Sequence, residues 1–312
     1  MNALTRRFSP MLAGAGVIAC LYALTVAAGA QASPAPSWTS VAQVLGRTGV
    51  PQAGDVMRFN FPRRDLRVMV GSVQVRPSLA LGSWVAFKRM ADGQTMAMGD
   101  LVLTDDEINP VISALQLGGV EQTALHNHIV GGTPNTMYLH INAHGRDTAI
   151  ARAIRRALEG TKTPLDTAPA GPAPAFDLDT TALSRALGYA GRINGGVYQV
   201  SVPRTERIME GGHEVPGSMG LGTAINFQPT GGGKAAITGD FVMVGAEVNA
   251  VIRTLRENGI GITALHSHLI DETPRLYFMH FWANDDAMKL ARGLNAALAK
   301  TNSAKPAVKS SP

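Results

Sequence analysis

Apolar residues follow two periods along the chain, and the periods change in the same order in both halves. In the first half, residues from Ile108 to Leu115 are apolar at every third or fourth position, which predicts a helix with one buried face. Strands are predicted at 68–75, 84–90, 100–103, 123–129 and 137–143, and a closing helix uses Ile150, Ile154 and Leu158. This order predicts an α+β fold with an antiparallel sheet, helices on one face, and a strand, helix, hairpin, helix core.

The second half of the chain repeats the first. Residues 99–160 align without a gap with residues 239–300, and about one position in three is identical. We therefore predict two tandem homologous domains that pack on each other as a pseudo-twofold pair. The predicted boundaries are 38–160 for the first domain, 161–176 for a Pro- and Ala-rich linker, 177–300 for the second domain and 301–312 for a disordered tail.

The first residues of the chain have the features of an export signal. Two arginines precede an apolar stretch from about 11 to 28, and the small residues that end at Ala32 fit a cleavage site. Residues 1–32 are therefore predicted to be a signal peptide, which places the mature protein in the periplasm or outside the cell. Cys20 lies in a tolerable lipobox, so attachment to the cell envelope through a lipid on Cys20 is the alternative to cleavage after Ala32.

Charge and composition exclude some classes of function. The formal net charge is +5, but the excess lies near the ends of the chain. The domains therefore lack the basic stripe that nucleic-acid binding needs. Since Cys20 is the only cysteine, a metal site in the mature protein would use His, Asp, Glu or amide ligands.

Six of the eight histidines form three aligned pairs, which are His126 with His266, His128 with His268, and His140 with His280. Residues two apart on a strand point to the same face, so the two histidines of each His-x-His motif project together. A turn centred near Thr133 would place His140 opposite His126 and bring the three rings of one repeat together. Such a set suits a divalent transition metal, with zinc as the first candidate and copper and iron as alternatives. The other interpretation is that these are polar residues of a half-exposed sheet, inherited together by duplication.

The two repeats differ beside these histidines. Repeat two has Asp271 and Glu272 where repeat one has two glycines, and we predict that Glu272 is a fourth ligand or a general base. A solvated turn residue is the alternative. Repeat one has His144 where repeat two has Asn284.

Other residues are assigned structural roles. We expect Asp100 and Asp240 to cap or brace the hairpin, with a supporting role behind the metal ligands as the alternative. Thr104 and Glu107 are expected to form a helix-capping box, with a catalytic role for Glu107 or Glu247 as the alternative. His213 is expected in a surface loop. Three aromatic residues are expected beside the site or at the interface between repeats: Tyr138, Phe278 and Trp282. The opposite strand face, expected under the helices, comprises Leu125, Ile129, Met137, Leu139 and Ile141.

Several segments resemble a known family. The sequences GDLVLTDDEINPVISAL, TALHNH with TPNTMYLH, and TALHSHLIDETPRLYFMH are similar to the duplicated domain of the LppY/LpqO-like bacterial lipoproteins. The resemblance implies export and an envelope location but no reaction, because that domain has no assigned function. The spacing from His266 to Glu272 also resembles the first metal motif of cupins, but the second cupin motif is missing.

Two functions of different classes remain open. The first is a metal-dependent hydrolase acting on a small molecule of unknown identity, in which the histidines hold the metal and Glu272 moves the proton. The alternative is a non-enzymatic envelope protein that binds a metal or another ligand. An acid present only in repeat two favours the first, and histidines in both repeats favour the second.

Overall fold

The computed structural model describes residues 37–166, 172 and 174–305. The predicted signal peptide, Cys20, the central part of the linker and the last seven residues of the tail lie outside the described residues. Within the described ranges, none of the helices is both long and apolar enough to cross a membrane.

Both repeats contain a six-stranded antiparallel sheet and helices, as expected for a duplicated α+β domain. Repeat one comprises α1 (Thr39–Leu45), β1 (Val50–Gln52), β2 (Val56–Pro62), β3 (Met69–Val70), β4 (Val73–Gln74), β5 (Gly82–Arg89), β6 (Thr95–Leu103), α2 (Ile108–Leu117), β7 (Glu121–His126), β8 (Gly132–Thr133), β9 (Met137–Gly145) and α3 (Asp147–Glu159). Repeat two comprises α4 (Thr180–Leu187), β10 (Arg192–Asn194), β11 (Val197–Val202), β12 (Met209–Glu210), β13 (His213–Glu214), a 3₁₀ turn (Gly217–Met219), β14 (Thr223–Gly231), β15 (Lys234–Val244), α5 (Val248–Glu257), β16 (Gly261–His266), β17 (Leu276–Asp286) and α6 (Ala287–Leu298).

The two large sheets have the same strand order. It is β1-β2-β5-β6-β9-β7 in repeat one and β10-β11-β14-β15-β17-β16 in repeat two. The hairpin that carries the histidines is therefore at one edge of each sheet, with β7 or β16 as the edge strand. The short strands β3, β4 and β8 form a separate small sheet, and β12 pairs with β13.

Helices cover one face of each sheet. In repeat one, Leu115 of α2 and Ile154 of α3 are buried against Phe59, Phe87 and Leu101 of the strands. Repeat two has an equivalent core, with its own helices packed on its own strands. Each such side chain contributes about 1.5–3 kcal/mol when it is withdrawn from water, so these cores are the main source of stability.

The other face of each sheet packs against the other repeat. One apolar cluster joins Met96 and Met98 of repeat one to Val242 and Phe278 of repeat two. A second cluster includes Tyr138 and residues of β11 and β15. The repeats therefore pack on each other, with the two sheets between the helical layers.

Burial on both faces explains why one strand is longer than its pattern predicts. The sequence predicts a strand from Asp100 to Leu103, but β6 begins at Thr95 and every residue of it is buried. A strand that is covered on both sides has no polar face, so its sequence does not alternate.

Part of the face expected under the helices lies elsewhere. Leu139 and Ile141 are in the helix-facing core, as predicted. Leu125, however, is 42% exposed, and Ile129 joins a cluster that reaches the other repeat. Leu125 lies on β7, which is the edge strand and has a neighbouring strand on one side only, and Ile129 comes after β7 has ended at His126.

A buried ion network ties the strands of repeat one to helix α2. The fully buried Arg63 donates to Glu107 over 2.6 Å, to Asp65, and to the carbonyl oxygen of Val102 over 2.7 Å. Glu107 also accepts from the backbone N–H groups of Thr104 and of Lys162, which lies three residues after the end of α3. The Thr104 bond is one half of the predicted capping box, and Arg204 with Glu247 repeats the network in repeat two. Glu107 and Glu247 therefore have structural roles.

We expect Glu107→Ala to lower the free energy of unfolding by about 3–5 kcal/mol, because it leaves the buried Arg63 guanidinium without its partner. Urea unfolding followed by circular dichroism measures the change. The control is Glu159→Ala, which removes an exposed pair with Arg155 at the surface of α3 and should cost at most about 0.5 kcal/mol. Equal small effects of both substitutions would contradict this role of the network.

Candidate metal centre

The six aligned histidines form one cluster where the two repeats meet. His126 and His266 are the last residues of β7 and β16, His140 and His280 lie within β9 and β17, and His128 and His268 follow the edge strands. The closest pairs of histidine rings all join one repeat to the other: His126 and His266 have centroids 3.5 Å apart, His128 and His280 3.7 Å, and His140 and His268 3.8 Å. The sequence predicted two separate groups, and the structure merges them.

The contacts between the repeats are reciprocal. The hydroxyl of Thr123 donates to the carbonyl oxygen of His268 over 2.6 Å, and that of Thr263 donates to the carbonyl oxygen of His128 over 2.7 Å. Each contact has a counterpart with the repeats exchanged, as a pseudo-twofold relation requires. His126 and His266 face each other at the centre of this relation.

The register of the hairpin differs from the predicted one. His126 pairs with Tyr138 and not with His140, which is opposite Ala124. Repeat two has the same register, since His280 is opposite Ala264. The difference is two residues along β9, and side chains on a strand alternate with a period of two. The rings therefore still point to the predicted face.

Backbone carbonyl groups orient several of the rings through Nδ1. His280 Nδ1 lies 2.8 Å from the oxygen of Gly239, and His268 Nδ1 lies 3.2 Å from the oxygen of Gly220. His126 and His266 make the corresponding contact with the next residue in the chain, each at 3.2 Å. A ring that donates through Nδ1 keeps its lone pair on Nε2, which is the arrangement of many metal-binding histidines.

Aromatic rings stack on two of the imidazoles. Tyr138 stacks on His128 with ring centroids 3.4 Å apart, and Phe278 stacks on His268 at 3.5 Å. Both aromatic residues are also buried in the packing between the repeats. They therefore line the site and pack at the interface at the same time, which the sequence had given as alternatives.

The Nε2 atoms of all six histidines are buried and make no well-aligned hydrogen bond to any of the described residues, although the carboxylates of Asp240 and Asp100 lie close to two of them. The same is true of one carboxylate oxygen of Asp100 and one of Asp240. Asp100 pairs with His140 across β6 and β9, and Asp240 pairs with His280 across β15 and β17. A buried polar atom without a partner costs about 1–3 kcal/mol. So many in one place are typical of a site built for a cation.

The donor atoms form several sets in which all members lie within 4.8 Å of one another. Two sets stay within one repeat: Asp240 with His266, His268 and His280, and Asp100 with His128 and His140. Two sets combine both repeats: His126 with His140 and His266, and His126 with His128 and His280. The first set supplies three nitrogens and one oxygen, which is a four-coordinate donor set of the kind that zinc uses.

Burial keeps these rings neutral. It lowers the pKa of His126, His266 and His268 to about 3 and that of His280 to about 4, with neighbouring histidines adding to the effect at most of them. The pKa values of His128 and His140 are also well below the usual range, for the same reason. Neutral imidazoles can bind a metal without first losing a proton.

The two aspartates differ in their electrostatic surroundings. Burial and the nearby carboxylate of Asp240 raise the pKa of Asp100 well above its usual value. Asp240 Oδ2 lies 3.1 Å from His268 Nε2, whereas Asp100 Oδ2 lies 3.5 Å from His128 Nε2. Asp240 is thus the carboxylate in closer contact with the ring cluster. A supporting role beside the histidines was the alternative that the sequence left open for both aspartates, and the direct contact of Asp240 with His268 depends on how the sheet pairs.

Glu272 lies in the loop of the second hairpin and is buried. Its carboxylate accepts from the N–H of Leu276 over 2.9 Å and pairs with Arg275 at 3.3 Å. Among the described residues, the candidate ligand sets do not include it. Its role as a base stays a prediction. His144 and His213 also lie outside the six-histidine centre and come together with Asp92.

Comparisons with known proteins give a family but no activity. A family model described as Domain of Unknown Function (DUF1259) matches the chain twice, over residues 39–160 and 181–300. No curated protein sequence matches the chain.

Three solved structures are similar to this chain at low sequence identity. The trimeric bacterial microcompartment shell protein PduB is 15% identical, with 81% of this chain and 90% of that chain covered and a TM-score of 0.21. The double-ringed trimeric shell protein MSM0271 from the RMM microcompartment is 13% identical, with 66% and 82% covered and a TM-score of 0.20. EtuB from Clostridium kluyveri is 11% identical, with 81% and 89% covered and a TM-score of 0.21. At these TM-scores the similarity does not establish a shared fold or a shared function.

We expect the metal-free protein to lose stability as the pH falls below about 6.5. In the unfolded chain each imidazole takes up a proton near pH 6.5, but in the folded protein the pKa is about 3–4 for His126, His266, His268 and His280 and is also well below the usual range for His128 and His140. The unfolded state therefore binds more protons in between, and each ring lowers the free energy of unfolding by about 1.4 kcal/mol per pH unit. Burial raises the pKa of Asp100, and it raises the pKa of Glu210 to about 6. These two groups increase the free energy of unfolding as the pH falls, but the six histidine rings outnumber them.

Urea unfolding of chelator-treated protein at pH 7.5, 6.0 and 5.0 tests this expectation. The variant that combines His140→Gln with His268→Gln removes two of the titrating rings and should show a shallower dependence on pH. A free energy of unfolding that stays constant from pH 7.5 to 5.0 would show that the rings are not buried in solution.

Proposed function

This chain belongs to the family described as Domain of Unknown Function (DUF1259), and we propose that it binds a transition-metal ion at the six-histidine centre that its two repeats build together. The observation that carries the proposal is the convergence of six buried Nε2 atoms without hydrogen-bond partners. Neutral rings and two adjacent carboxylates complete a donor set of imidazole nitrogens and carboxylate oxygens. Zinc is the first candidate for such donors, and copper and iron are the alternatives.

The chain's own residues would hold and balance the ion. The carbonyl oxygens of Gly220 and Gly239 accept from His268 and His280, which fixes the ring planes and leaves Nε2 free to bind. Asp240 supplies negative charge next to these rings. A bound ion would act as a Lewis acid towards any water or small ligand that reaches it.

We further propose that the protein is exported and works in the periplasm, in the envelope or outside the cell. The support for this is the signal-like sequence of residues 1–32 and, for attachment, the position of Cys20. A site without cysteine ligands suits an oxidising compartment, because imidazole and carboxylate ligands do not form disulfides.

A metal-dependent hydrolase is the second candidate, and one observation favours it. His126, His128 and His266 are only partly buried, whereas the other three rings of the centre are fully buried. The partly buried rings would give water or a small substrate a route to the ion. The geometry favours Asp240 over Glu272 as the carboxylate beside the ion, because the carboxylate of Glu272 is bound within its own loop.

We expect the mature protein, loaded with Zn²⁺, Cu²⁺ or Fe²⁺ in turn, to retain at least one of these metals through gel filtration. His126→Ala and His266→Ala should each weaken binding by more than the roughly 10- to 100-fold that changes outside the ligand shell cause, since the centre draws on both repeats. Elemental analysis of the eluted protein measures the metal content. The control is Leu117→Ala, at a residue 85% exposed on α2, which should leave the metal content unchanged.

Retention of none of the three metals would overturn the proposal. If His266→Ala removes the metal while His126→Ala leaves both content and affinity unchanged, repeat two binds the ion alone and the shared centre is wrong.

If the protein is a hydrolase, we expect Asp240→Asn to abolish the activity and Glu272→Gln to leave it within about threefold of the wild type, which corresponds to less than about 1 kcal/mol of transition-state stabilisation. The assay is a screen of esters, lactones, amides and phosphoesters with metal-loaded protein, and the metal content of each variant is measured in parallel. Loss of activity in Glu272→Gln with full metal content would instead identify Glu272 as the base.

A further inference from the structure

The two histidines that do not belong to the buried centre meet at the surface. His144 lies near the end of β9, Asp92 lies in the turn between β5 and β6, and His213 begins β13 of repeat two. We propose that Asp92, His144 and His213 form a second transition-metal site, separate from the six-histidine centre and shared by the two repeats.

The distances among the three side chains fit such a site. His144 Nε2 lies 3.1 Å from Asp92 Oδ2, and His213 Nε2 lies 3.8 Å from the same oxygen. Donor atoms around a four-coordinate zinc ion are about 3.3 Å apart, given zinc–nitrogen and zinc–oxygen distances of about 2.0–2.2 Å. The two imidazoles meet edge to face, at an interplanar angle of 70° and 5.0 Å between centroids, so they do not stack on each other.

Asp92 is held in place for this role. Its Oδ1 accepts from the backbone N–H of Gln94 over 2.9 Å, which fixes the side chain within the turn. Its Oδ2 is the oxygen that faces both histidines. One carboxylate oxygen and two imidazole nitrogens leave a fourth position for water, as in zinc sites with three protein ligands.

The site occurs only once, although the chain is duplicated. The equivalent positions on the other side of the pseudo-twofold relation are Gly232, Asn284 and Val73, which include no strong metal ligand. Inheritance by duplication therefore does not account for this group, in contrast to the six aligned histidines. Asp92 and His144 come from repeat one and His213 from repeat two, so a bound ion would connect a turn of one repeat to the β12–β13 hairpin of the other.

The proposal does not depend on the buried centre, and the test separates the two sites. Chelator-treated full-length mature protein is titrated with Zn²⁺, and bound zinc is measured by equilibrium dialysis. The two test variants exchange each histidine for the residue that the other repeat has at the same position: His144→Asn and His213→Val. Both residues are at the surface, so both variants should fold, and circular dichroism checks this.

We expect each variant to bind about one Zn²⁺ per chain fewer than the wild type, or to bind that ion at least about tenfold more weakly, as loss of a ligand requires. The control is Glu214→Gln, which neighbours His213 but pairs with Arg207, and it should bind as the wild type does. Combining His126→Ala with His266→Ala in the buried centre should leave the surface ion in place.

Equal zinc binding by the wild type, His144→Asn and His213→Val would overturn the proposal. Loss of all bound zinc in the variant of the buried centre alone would also overturn it. A wild type that binds a single ion, which His144→Asn and His213→Val remove, would support the surface site and argue against the buried centre.

Discussion

Six imidazole rings meet between the two sheets, three of them buried and three partly buried, and the packing of the repeats is arranged around them. A face-to-face pair of sheets is normally filled by apolar side chains, and most of this interface follows that rule. The rings are the exception, and six buried Nε2 atoms that make no well-aligned hydrogen bond to the described residues are costly in the absence of a cation. The surrounding residues keep them in place. Gly239, for example, accepts from His280 through its carbonyl oxygen. This position has no room for a side chain, because a Cβ there would lie 1.9 Å from the carbonyl oxygen of Ala224.

Duplication supplies a centre that neither repeat contains alone. The closest contacts between histidine rings all cross between repeats, and the Thr123 and Thr263 hydroxyls each donate to a carbonyl oxygen after the other repeat's edge strand. A metal bound there would be held by the packing of the repeats and would stabilise that packing in turn. Both copies have all three histidines although about two thirds of the aligned positions differ, and under this proposal the loss of a histidine from either copy would weaken the same site.

Some differences between the repeats place chemically active side chains near this shared centre. Repeat two places Glu272 in its hairpin loop, where it binds Leu276 and Arg275, and repeat one has a glycine there. Repeat one places Asp92 and His144 beside His213, where the equivalent positions carry no such group. The central features are thus common to both copies, and the features that distinguish one side of the molecule from the other lie at its edges.

The duplication, the α+β class and the common strand face of the six histidines could all be predicted from the sequence. These features follow from local periodicity and from self-similarity. The register differs from the predicted one by two residues, so His140 still lies on the predicted face of its strand. Only the tertiary structure decided that the two groups of histidines merge, that Asp100 and Asp240 join them, and that His144 meets His213. Those contacts depend on strand pairing and on how one sheet docks on the other, and neither has a signal in the local sequence of hydrophobic and polar residues.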